Sequence, residues 1–519
     1  MRNLPIRGRP LILVTLVLAL VFPAGCTEPA ESPTPSTTGE PPVHRAQAQR
    51  PPRPTTVLAA RPGAEAAIAT SAALLRSAPV AVLAAERDRD GVATAGTIAE
   101  RLGAPVLLTA TGVDPGPELA RLDPRAVLAI GSRAQRVARA QQERKQEGAV
   151  PVFGIEPAGD PGSVPELPAE LPVTAAPEPA GVTVLVDQGR DDPAAVATAR
   201  AVGATIVPVH GTDPRADPAA IEALHADPPG AVLALGKEFG PAERLRARLE
   251  VAAKGTRLPG GGQVMLPGRR LVCLYGHPGA PSLGVLGEQG VGASIERARR
   301  MAAKYEPLSR VPVVPAFEII ATVAHGEPGP DGDYSGESSV ASLRPWVERA
   351  GAAGLYVLLD LQPGRADLAA QARRYEPLLR LPHVGLAIDP EWKLGPDQLP
   401  LQQVGGVDAA EINRTSAWLA ELTAEHDLPQ KLFVVHQFRL SMIRNESALV
   451  TDRDELSLLI HMDGQGSTGQ KDATWRAVVG ARPGEVPLGW KNFYDEDHPM
   501  LTPEQTMSRR PTPMMISYQ

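Results

Sequence analysis

The fold is decided by one stretch in the C-terminal half of the chain, Val384-Gly385-Leu386-Ala387-Ile388-Asp389-Pro390-Glu391-Trp392-Lys393. Its first five residues are apolar and lie between Pro382 and Pro390, a pattern that predicts a short buried strand. Asp389 and Glu391 follow where the apolar run stops. Because side chains alternate along a strand, residues two apart share a face. The stretch therefore predicts two carboxylates that point the same way at the C-terminal end of a strand, beside Trp392.

Two interpretations of this stretch differ in their chemistry. Parallel α/β folds carry their active sites at the C-terminal ends of strands, and paired carboxylates beside an aromatic ring are typical of acid–base chemistry on a sugar. Alternatively, Asp389 caps a helix that starts after the strand, with Pro390 at its first position. The stretch alone leaves both open, and the rest of the chain favours the first.

Seven further apolar runs surround this strand in the C-terminal half of the chain. The eight predicted strands cover residues 271–274, 313–323, 355–361, 384–388, 432–435, 456–460, 488–493 and 514–517. Helical patterns separate most of them, at 291–305, 340–350, 366–379, 411–426 and 473–479. Eight strands that alternate with helices over about 250 residues predict a TIM-type (β/α)8 barrel. We place this barrel, the expected catalytic domain, at residues 260–519.

Polar and aromatic residues follow the predicted strands, and in a barrel all these strand ends meet at one rim. We expect the catalytic residues to be Glu391, Asp389 and Asp360. The side chains expected to bind substrate are His277, Gln362, Trp392, His436, Gln437, His461, Asp463, Lys491 and Tyr494. Each of these alone fits a hydrogen-bonded structural role, whereas the whole set at one rim favours a functional site.

Residues 389–391 read Asp-Pro-Glu, which resembles the Asp-x-Glu end of the fourth-strand motif in chitinase-type glycoside hydrolases. Val384 and Ala387 stand where that motif has further aspartates, so the resemblance covers only its end. It implies that Glu391 is the general acid that protonates the leaving oxygen and that Asp389 orients and stabilises. Desolvation by a neighbouring tryptophan would raise the pKa of such an acid.

Zinc is the competing chemistry, with five possible ligands: His277, His436, His461, Asp360 and Asp463. None of them has the His-x-His or His-Glu-x-x-His spacing that would make a zinc site specific. Lys491 at such a rim would repel a cation and suits hydrogen bonding to a hydroxyl or a carboxylate. We therefore expect neither a metal nor another cofactor. The predicted barrel also contains no Gly-x-Ser-x-Gly elbow of a serine hydrolase.

Residues 57–255 show a separate alternation of strands and helices. Strands are predicted at 80–84, 106–109 and 126–130, and again at 182–186, 205–209 and 231–235. The closing runs are nearly the same, AVLAIG at 126–131 and AVLALG at 231–236, which indicates two related lobes. The alternation predicts a two-lobed, doubly wound parallel α/β region. Neither lobe has the Gly-x-Gly-x-x-Gly fingerprint of a dinucleotide site.

The first of these lobes carries a family resemblance in four runs, at residues 61–63 (RPG), 81–84 (AVLA), 102–109 (LGAPVLLT) and 126–131. They are similar to the cell-wall-binding repeat of actinobacterial and clostridial surface proteins. The resemblance implies that this region binds a cell-wall glycan.

The N-terminus has the pattern of an export signal. Three arginines in the first nine residues precede an apolar core at 11–22, which has signal-peptide length and is too short for a comfortable transmembrane span. Pro23-Ala24-Gly25-Cys26 resembles the lipobox of bacterial lipoproteins. The resemblance implies cleavage of residues 1–26 before Cys26, lipidation of Cys26 and attachment to the outer face of the cell membrane. The alternative is an ordinary secretory signal with another cleavage site.

Residues 27–56 are rich in Pro, Ser, Thr and Glu and nearly lack large apolar side chains, which predicts a flexible tether. The net charge of −7 argues against a nucleic-acid partner. The only other cysteine, Cys273, lies in an apolar run, so no intrachain disulfide is expected. The sequence thus predicts a membrane-anchored, extracytoplasmic lipoprotein that binds and hydrolyses a polysaccharide. A non-catalytic wall-adhesion protein with a degenerate barrel is the alternative.

Overall fold

The computed structural model describes residues 42–144, 150–159 and 163–519. The predicted signal peptide, the predicted lipidation site Cys26 and the first part of the predicted tether lie outside these described residues. The chain from Val43 to Gln519 forms one compact unit. Within the described ranges, no helix has the length and apolar character that crossing a membrane requires.

The last part of the predicted tether forms strands. The short strands His44–Arg45 and Gln47–Ala48 each pair with another segment, and Thr55–Leu58 pairs in parallel with Val232–Leu235. A strand at a sheet edge is held by backbone hydrogen bonds and needs few large apolar side chains of its own. The composition of residues 44–56 favoured a flexible segment, whereas the structure has short paired strands there.

The N-terminal region contains two four-stranded parallel sheets with the same pattern of strand order. Across the first sheet the order is Val106–Thr109, Val80–Ala85, Ala126–Ile130 and Val152–Ile155. Across the second sheet the order is Thr205–Val209, Thr183–Asp187, Val232–Leu235 and Thr55–Leu58. The fourth strand of the second sheet comes from a segment that precedes the whole first sheet.

Helices flank and join these two sheets: Ala64–Leu74, Arg89–Leu102, Gly116–Leu122, Gly131–Arg144, Pro193–Ala201, Pro218–Ala226 and Ala242–Ala253. One apolar core includes Leu83 of the first sheet and Val184 and Leu233 of the second. The two sheets therefore share buried surface.

Residues 270–518 contain a closed barrel of eight parallel strands, which confirms the predicted barrel. Barrel strands 1 to 8 are Arg270–Gly276, Val313–Ala324, Tyr356–Leu361, Val384–Ile388, Lys431–His436, Leu456–Met462, Leu488–Asn492 and Met515–Tyr518. Strand 1 pairs with both strand 2 and strand 8, and these pairings close the barrel. A short antiparallel strand, Ser335–Glu337, pairs with the end of strand 2.

The barrel helices are Val291–Ala303, Val340–Ala352, Leu368–Arg374, Glu376–Leu379, Ala409–Glu425, Thr468–Ala481 and Pro503–Met507. The single helix predicted at 366–379 is divided in two, because Pro377 lacks the N–H that would continue the first helix. The helices cover the outward faces of the strands with one large apolar core. A second apolar cluster, which includes the free and buried thiol of Cys273, fills the lower barrel interior.

Candidate active site in the barrel mouth

The inward-facing side chains of the barrel change from apolar to polar toward the C-terminal ends of the strands. In the lower interior, strands 1, 2 and 3 contribute Cys273, Ala316 and Leu358. Residues two apart share a strand face. The next inward positions on these three strands are therefore Tyr275, Glu318 and Asp360, all buried.

The remaining strands complete this layer with the same alternation. We call the set the ionisable layer: Tyr275, Glu318, Asp360, Asp389, His436, His461, Asp463, Lys491 and Ser517. None of these residues is more than 7% exposed. Closure of the barrel brings them together although they are spread over more than two hundred residues of sequence.

His436 lies between two carboxylates of the ionisable layer. Its Nδ1 is 2.8 Å from Asp463 Oδ2 and its Nε2 is 2.9 Å from Glu318 Oε1. Asp360 Oδ1 lies 3.9 Å from the same Nε2. Burial alone would lower the pKa of this imidazole, but the surrounding negative charges outweigh it and raise the pKa well above its usual value. We therefore treat His436 as an imidazolium that donates from both ring nitrogens.

Asp360 is oriented by the phenol of strand 1. Tyr275 Oη donates to Asp360 Oδ2 over 3.0 Å, and Gln362 Nε2 donates to the same phenol over 3.5 Å. The other carboxyl oxygen of Asp360 is buried without a hydrogen-bond partner. Burial raises the pKa of Asp360 to about 6.

His461 and Lys491 complete the ionisable layer on strands 6 and 7. The rings of His436 and His461 stack with centroids 5.1 Å apart, and His461 Nε2 lies 2.9 Å from Ser517 Oγ. Burial and the positive charge of His436 lower the pKa of His461 well below its usual value, so His461 is neutral. The ammonium of Lys491 sits 3.4 Å from the centre of the Tyr275 ring.

The stretch at 384–393 forms a buried strand that is followed by a single capped turn instead of the longer helix of the capping interpretation. Strand 4 ends at Ile388, and Pro390–Trp392 forms a single 3₁₀ turn with Asp389 as its N-cap, since Asp389 Oδ1 accepts from Glu391 N over 3.1 Å. Asp389 is nevertheless 3% exposed and interacts with the charges of the ionisable layer. A capping role therefore does not remove Asp389 from the barrel mouth.

The surroundings of Glu391 and Asp463 shift the pKa values of these two carboxyl groups in opposite directions. Glu391 is partly exposed, and burial together with the charge of Asp463 raises its pKa to about 7. Burial alone would raise the pKa of Asp463, but the charge and the hydrogen bond of His436 outweigh burial and lower this pKa. Near neutral pH, a substantial fraction of Glu391 therefore carries a proton while Asp463 is ionised. The Oδ1 atom of Asp463 is buried without a hydrogen-bond partner.

One buried group in this layer has the spacing that a metal ion needs. Ligand atoms of Asp389, His436 and Asp463 lie within 4.8 Å of one another. Both ring nitrogens of His436 already face carboxylates, as expected for a protonated ring rather than for a metal ligand. The charges of Lys491 and His436 disfavour a further cation here.

Three of the predicted binding residues contact partners outside the ionisable layer. His277 Nε2 lies 2.9 Å from Ser338 Oγ, and Gln437 Nε2 donates to Glu446 Oε2 over 2.8 Å. Tyr494 is 37% exposed and packs against Tyr518, with ring centroids 5.8 Å apart. Gln437 has the outward parity because it directly follows the inward His436. Trp392 belongs to the 3₁₀ turn and is partly exposed.

Glu318 is the component of the site that the sequence analysis missed. It lies in the middle of strand 2, so a search restricted to strand ends passes over it. The sequence does contain a signal for Glu318, since it is the only charged residue in a mostly apolar strand and comes two residues after the inward-facing Ala316. Strand 2 continues past the rim, which places Glu318 beside Tyr275 of strand 1 in the register.

Comparisons of the chain with known protein families, with curated protein sequences and with solved structures found no significant match. The barrel is therefore described by its own geometry, as a parallel eight-stranded TIM-type barrel with an ionisable layer in its mouth.

Proposed function

We propose that the barrel hydrolyses a glycosidic bond in an envelope or extracellular polysaccharide. The observation that carries the proposal is that the pKa values of two carboxyl groups at the same rim are shifted in opposite directions, upward to about 7 for Glu391 and downward for Asp463. Glycoside hydrolysis needs one carboxyl of each kind, an acid for the leaving oxygen and a carboxylate that acts as base or nucleophile.

In this proposal Glu391 donates its proton to the leaving oxygen, as the resemblance of residues 389–391 also implies. The charged partner is Asp463, rather than Asp389 or Asp360, because the pKa values of the latter two are raised. The free Oδ1 of Asp463 either attacks the anomeric carbon or accepts a proton from the attacking water. His436 holds Asp463 in its ionised form, and Glu318 holds His436 from its other side.

The test is a screen of the purified protein against wall and capsular polysaccharides, with release of reducing ends as the readout. We expect Glu391→Gln to lower turnover by about 10²–10⁴, the range typical of general acid catalysis, with substrate binding retained. Asp397→Asn, a change of an exposed carboxylate in the following loop, is the matched control and should leave turnover unchanged.

The pH profile provides a second readout of the same site. An acid with a pKa of about 7 predicts that kcat/KM falls as the pH rises above about 7. If the native protein is active and the Glu391→Gln variant keeps that turnover, the general acid is another residue. The absence of turnover on every polysaccharide in the screen, with binding intact, would favour the alternative of a non-catalytic wall-adhesion protein.

We also propose that the protein acts outside the cell, anchored by a lipid on Cys26, with the two-sheet region bound to the wall. The support is the lipobox-like end of residues 1–26 and the resemblance of the first lobe to the cell-wall-binding repeat. Cys26→Ala should release the protein from membranes. Unchanged partitioning of that variant into the membrane fraction would contradict the lipid anchor.

A further inference from the structure

The first sheet has an open crevice where its strand order reverses. After Val80–Ala85 the chain continues to the neighbouring strand on one side, Val106–Thr109, and then crosses to the other side, Ala126–Ile130. Open parallel sheets bind ligands at such a switch point, outside the carboxyl ends of the strands. A cavity of about 320 Å³ lies there, lined among others by Glu86, Asp88, Thr109 and Arg133.

At the equivalent position of the second sheet an arginine is held by two carboxylates. Arg190 comes three residues after strand Thr183–Asp187, just as Asp88 comes three residues after strand Val80–Ala85. Arg190 forms ion pairs with Asp192 and Glu238. Its guanidinium also donates to Ala60 O over 2.6 Å. The two sheets share the order of three strands but differ at this position in the side chains that follow the central strand.

A buried hydroxyl in the first sheet lacks a partner. Thr109 ends its strand and is 5% exposed, and its Oγ1 has no hydrogen bond within the described part of the chain. Leaving a buried hydroxyl unpaired costs about 1–3 kcal/mol. Thr109 lines the crevice, so a ligand there can supply the missing partner.

The crevice continues along the edge of the sheet as a groove. A second cavity of about 490 Å³ shares Thr109 and Arg133 with the first and extends over Val113, Pro115 and Val137. Two adjoining cavities accommodate a chain of several units better than one small molecule. The apolar side chains suit the C–H faces of sugar rings, and the polar ones suit their hydroxyls.

The two cavities of the groove are lined by three carboxylates, Glu86, Asp88 and Asp114, and by two arginines, Arg87 and Arg133. Glu86 and Asp88 face the first cavity, and their carboxylates already accept backbone N–H groups, from Ala64 over 2.9 Å and from Gly91 over 2.9 Å. Arg87 and Arg133 line the same cavity with opposite charge. An anionic ligand would meet repulsion from the three carboxylates and a cationic ligand from the two arginines, whereas a hydroxyl-rich neutral ligand can form hydrogen bonds with both kinds of group.

We propose that this groove binds an uncharged polysaccharide chain and so forms a second carbohydrate site, separate from the barrel mouth. The inference rests on the proposed wall binding of the two-sheet region and assigns that binding to Thr109 and Arg133 of the first sheet. The proposal assigns no such role to the second sheet, where Arg190 is engaged in ion pairs with Asp192 and Glu238 at the corresponding position.

The experiment measures binding of the full chain to uncharged chitin, cellulose, mannan and arabinan oligosaccharides by calorimetry, with a glycerol-phosphate polymer as the anionic comparison. We expect at least one neutral oligosaccharide to bind. Thr109→Val, which keeps the shape and removes the hydroxyl, and Arg133→Gln should each weaken that binding about tenfold or more, which corresponds to about 1.4 kcal/mol.

Arg136→Gln changes an exposed arginine on the same helix outside the groove and should leave the affinity unchanged. Circular dichroism of each variant shows whether it is folded. Hydrolysis of a soluble substrate should persist in both groove variants, so failure of this proposal is distinguishable from failure of the barrel proposal. Binding of the phosphate polymer alone, binding of no neutral oligosaccharide, or unchanged affinity in Thr109→Val and Arg133→Gln would each overturn it.

Discussion

The barrel and the two-sheet region are both built from parallel strands and helices, yet they differ in what stands at the strand ends. Eight strands of the barrel converge on one point, and their inward side chains form a layer of ionisable groups that is at most 7% exposed. The open sheets of the N-terminal region do not converge in this way, and the crevice of the first sheet lies where its strand order reverses. Closure of the barrel brings charged side chains together away from water, whereas the edge of an open sheet leaves its polar side chains partly exposed.

This difference has an energetic consequence. In the barrel mouth each charge depends on its neighbours, because a buried charge without a partner is costly. In the groove of the first sheet, Glu86 and Asp88 accept backbone N–H groups, and the unsatisfied buried atoms among the described residues are uncharged, the Thr109 hydroxyl and Gln141 Oε1. Substitutions in the barrel mouth should therefore change stability strongly, and those in the groove should change it little.

The largest effect is expected for His436→Gln. The change leaves Glu318 and Asp463 without the cation between them, and breaking a buried ion pair typically costs about 3–5 kcal/mol. Urea unfolding at pH 7, followed by circular dichroism, measures it. His277→Gln, which alters a half-buried histidine bonded to Ser338, is the control and should cost about 1 kcal/mol or less. Equal stability of the two variants would mean that the carboxylates beside His436 are not charged.

A second prediction concerns pH and Asp360, whose pKa burial raises to about 6 from an ordinary 3.8. A carboxyl with a raised pKa holds its proton longer in the folded than in the unfolded protein. Its contribution to stability is complete below about pH 4 and is lost as the pH rises through about 6. Asp360→Asn has no such titration, so its stability relative to the native chain should rise by about 2–3 kcal/mol between pH 4 and pH 8.

Unfolding of Asp360→Asn and of the native protein between pH 4 and pH 8 measures whether the stability difference between them rises with pH. Asp397→Asn, with its exposed carboxylate, should follow the native protein at every pH. A stability difference between Asp360→Asn and the native chain that stays constant with pH would show that Asp360 titrates as an ordinary aspartate.

A smaller effect is expected at the contact between the two regions. Asp454 of the barrel pairs with two arginines of the N-terminal region, Arg215 over 3.1 Å and Arg248 over 2.5 Å. Asp454→Asn should lower stability by about 1–2 kcal/mol, since the pair is partly buried. Glu485→Gln removes a partner that is 96% exposed from its pair with Arg482 and should change little.

Calorimetry of Asp454→Asn also tests how the regions unfold. Residues 57–255 and 260–519 were predicted to be separate domains, whereas ion pairs that join them favour one cooperative transition. A native chain with two resolved transitions, of which Asp454→Asn shifts neither, would support independent domains.

The smallest effect is expected for Thr109→Val. Valine replaces the unpaired hydroxyl by a methyl group of the same shape, so the ligand-free protein should be equally stable or more stable by up to about 1 kcal/mol. Thermal unfolding without ligand measures it, with Thr111→Val, at an exposed threonine lining the same cavity, as the control. A clear loss of stability would mean that the Thr109 hydroxyl is already satisfied in the folded protein.

The sequence by itself determined the barrel, because local patterns specify its parts. Each of the eight strands was predicted within about two residues at either end, and strand 4 matches its predicted bounds, Val384–Ile388. Apolar runs that stop at polar residues mark where buried strands reach a rim. The same local signal identified Asp360, His436 and Asp463 as residues of the barrel mouth.

Only the tertiary structure decided how those residues act. Glu318 enters the site because the register sets it beside Tyr275, and Asp463 rather than Asp389 stays ionised because barrel closure brings His436 against it. Likewise, Thr55–Leu58 forms an edge strand by pairing with a strand about 175 residues away. Register, closure and charge coupling join residues that are distant in the chain, and local patterns of polarity carry no information about such pairs.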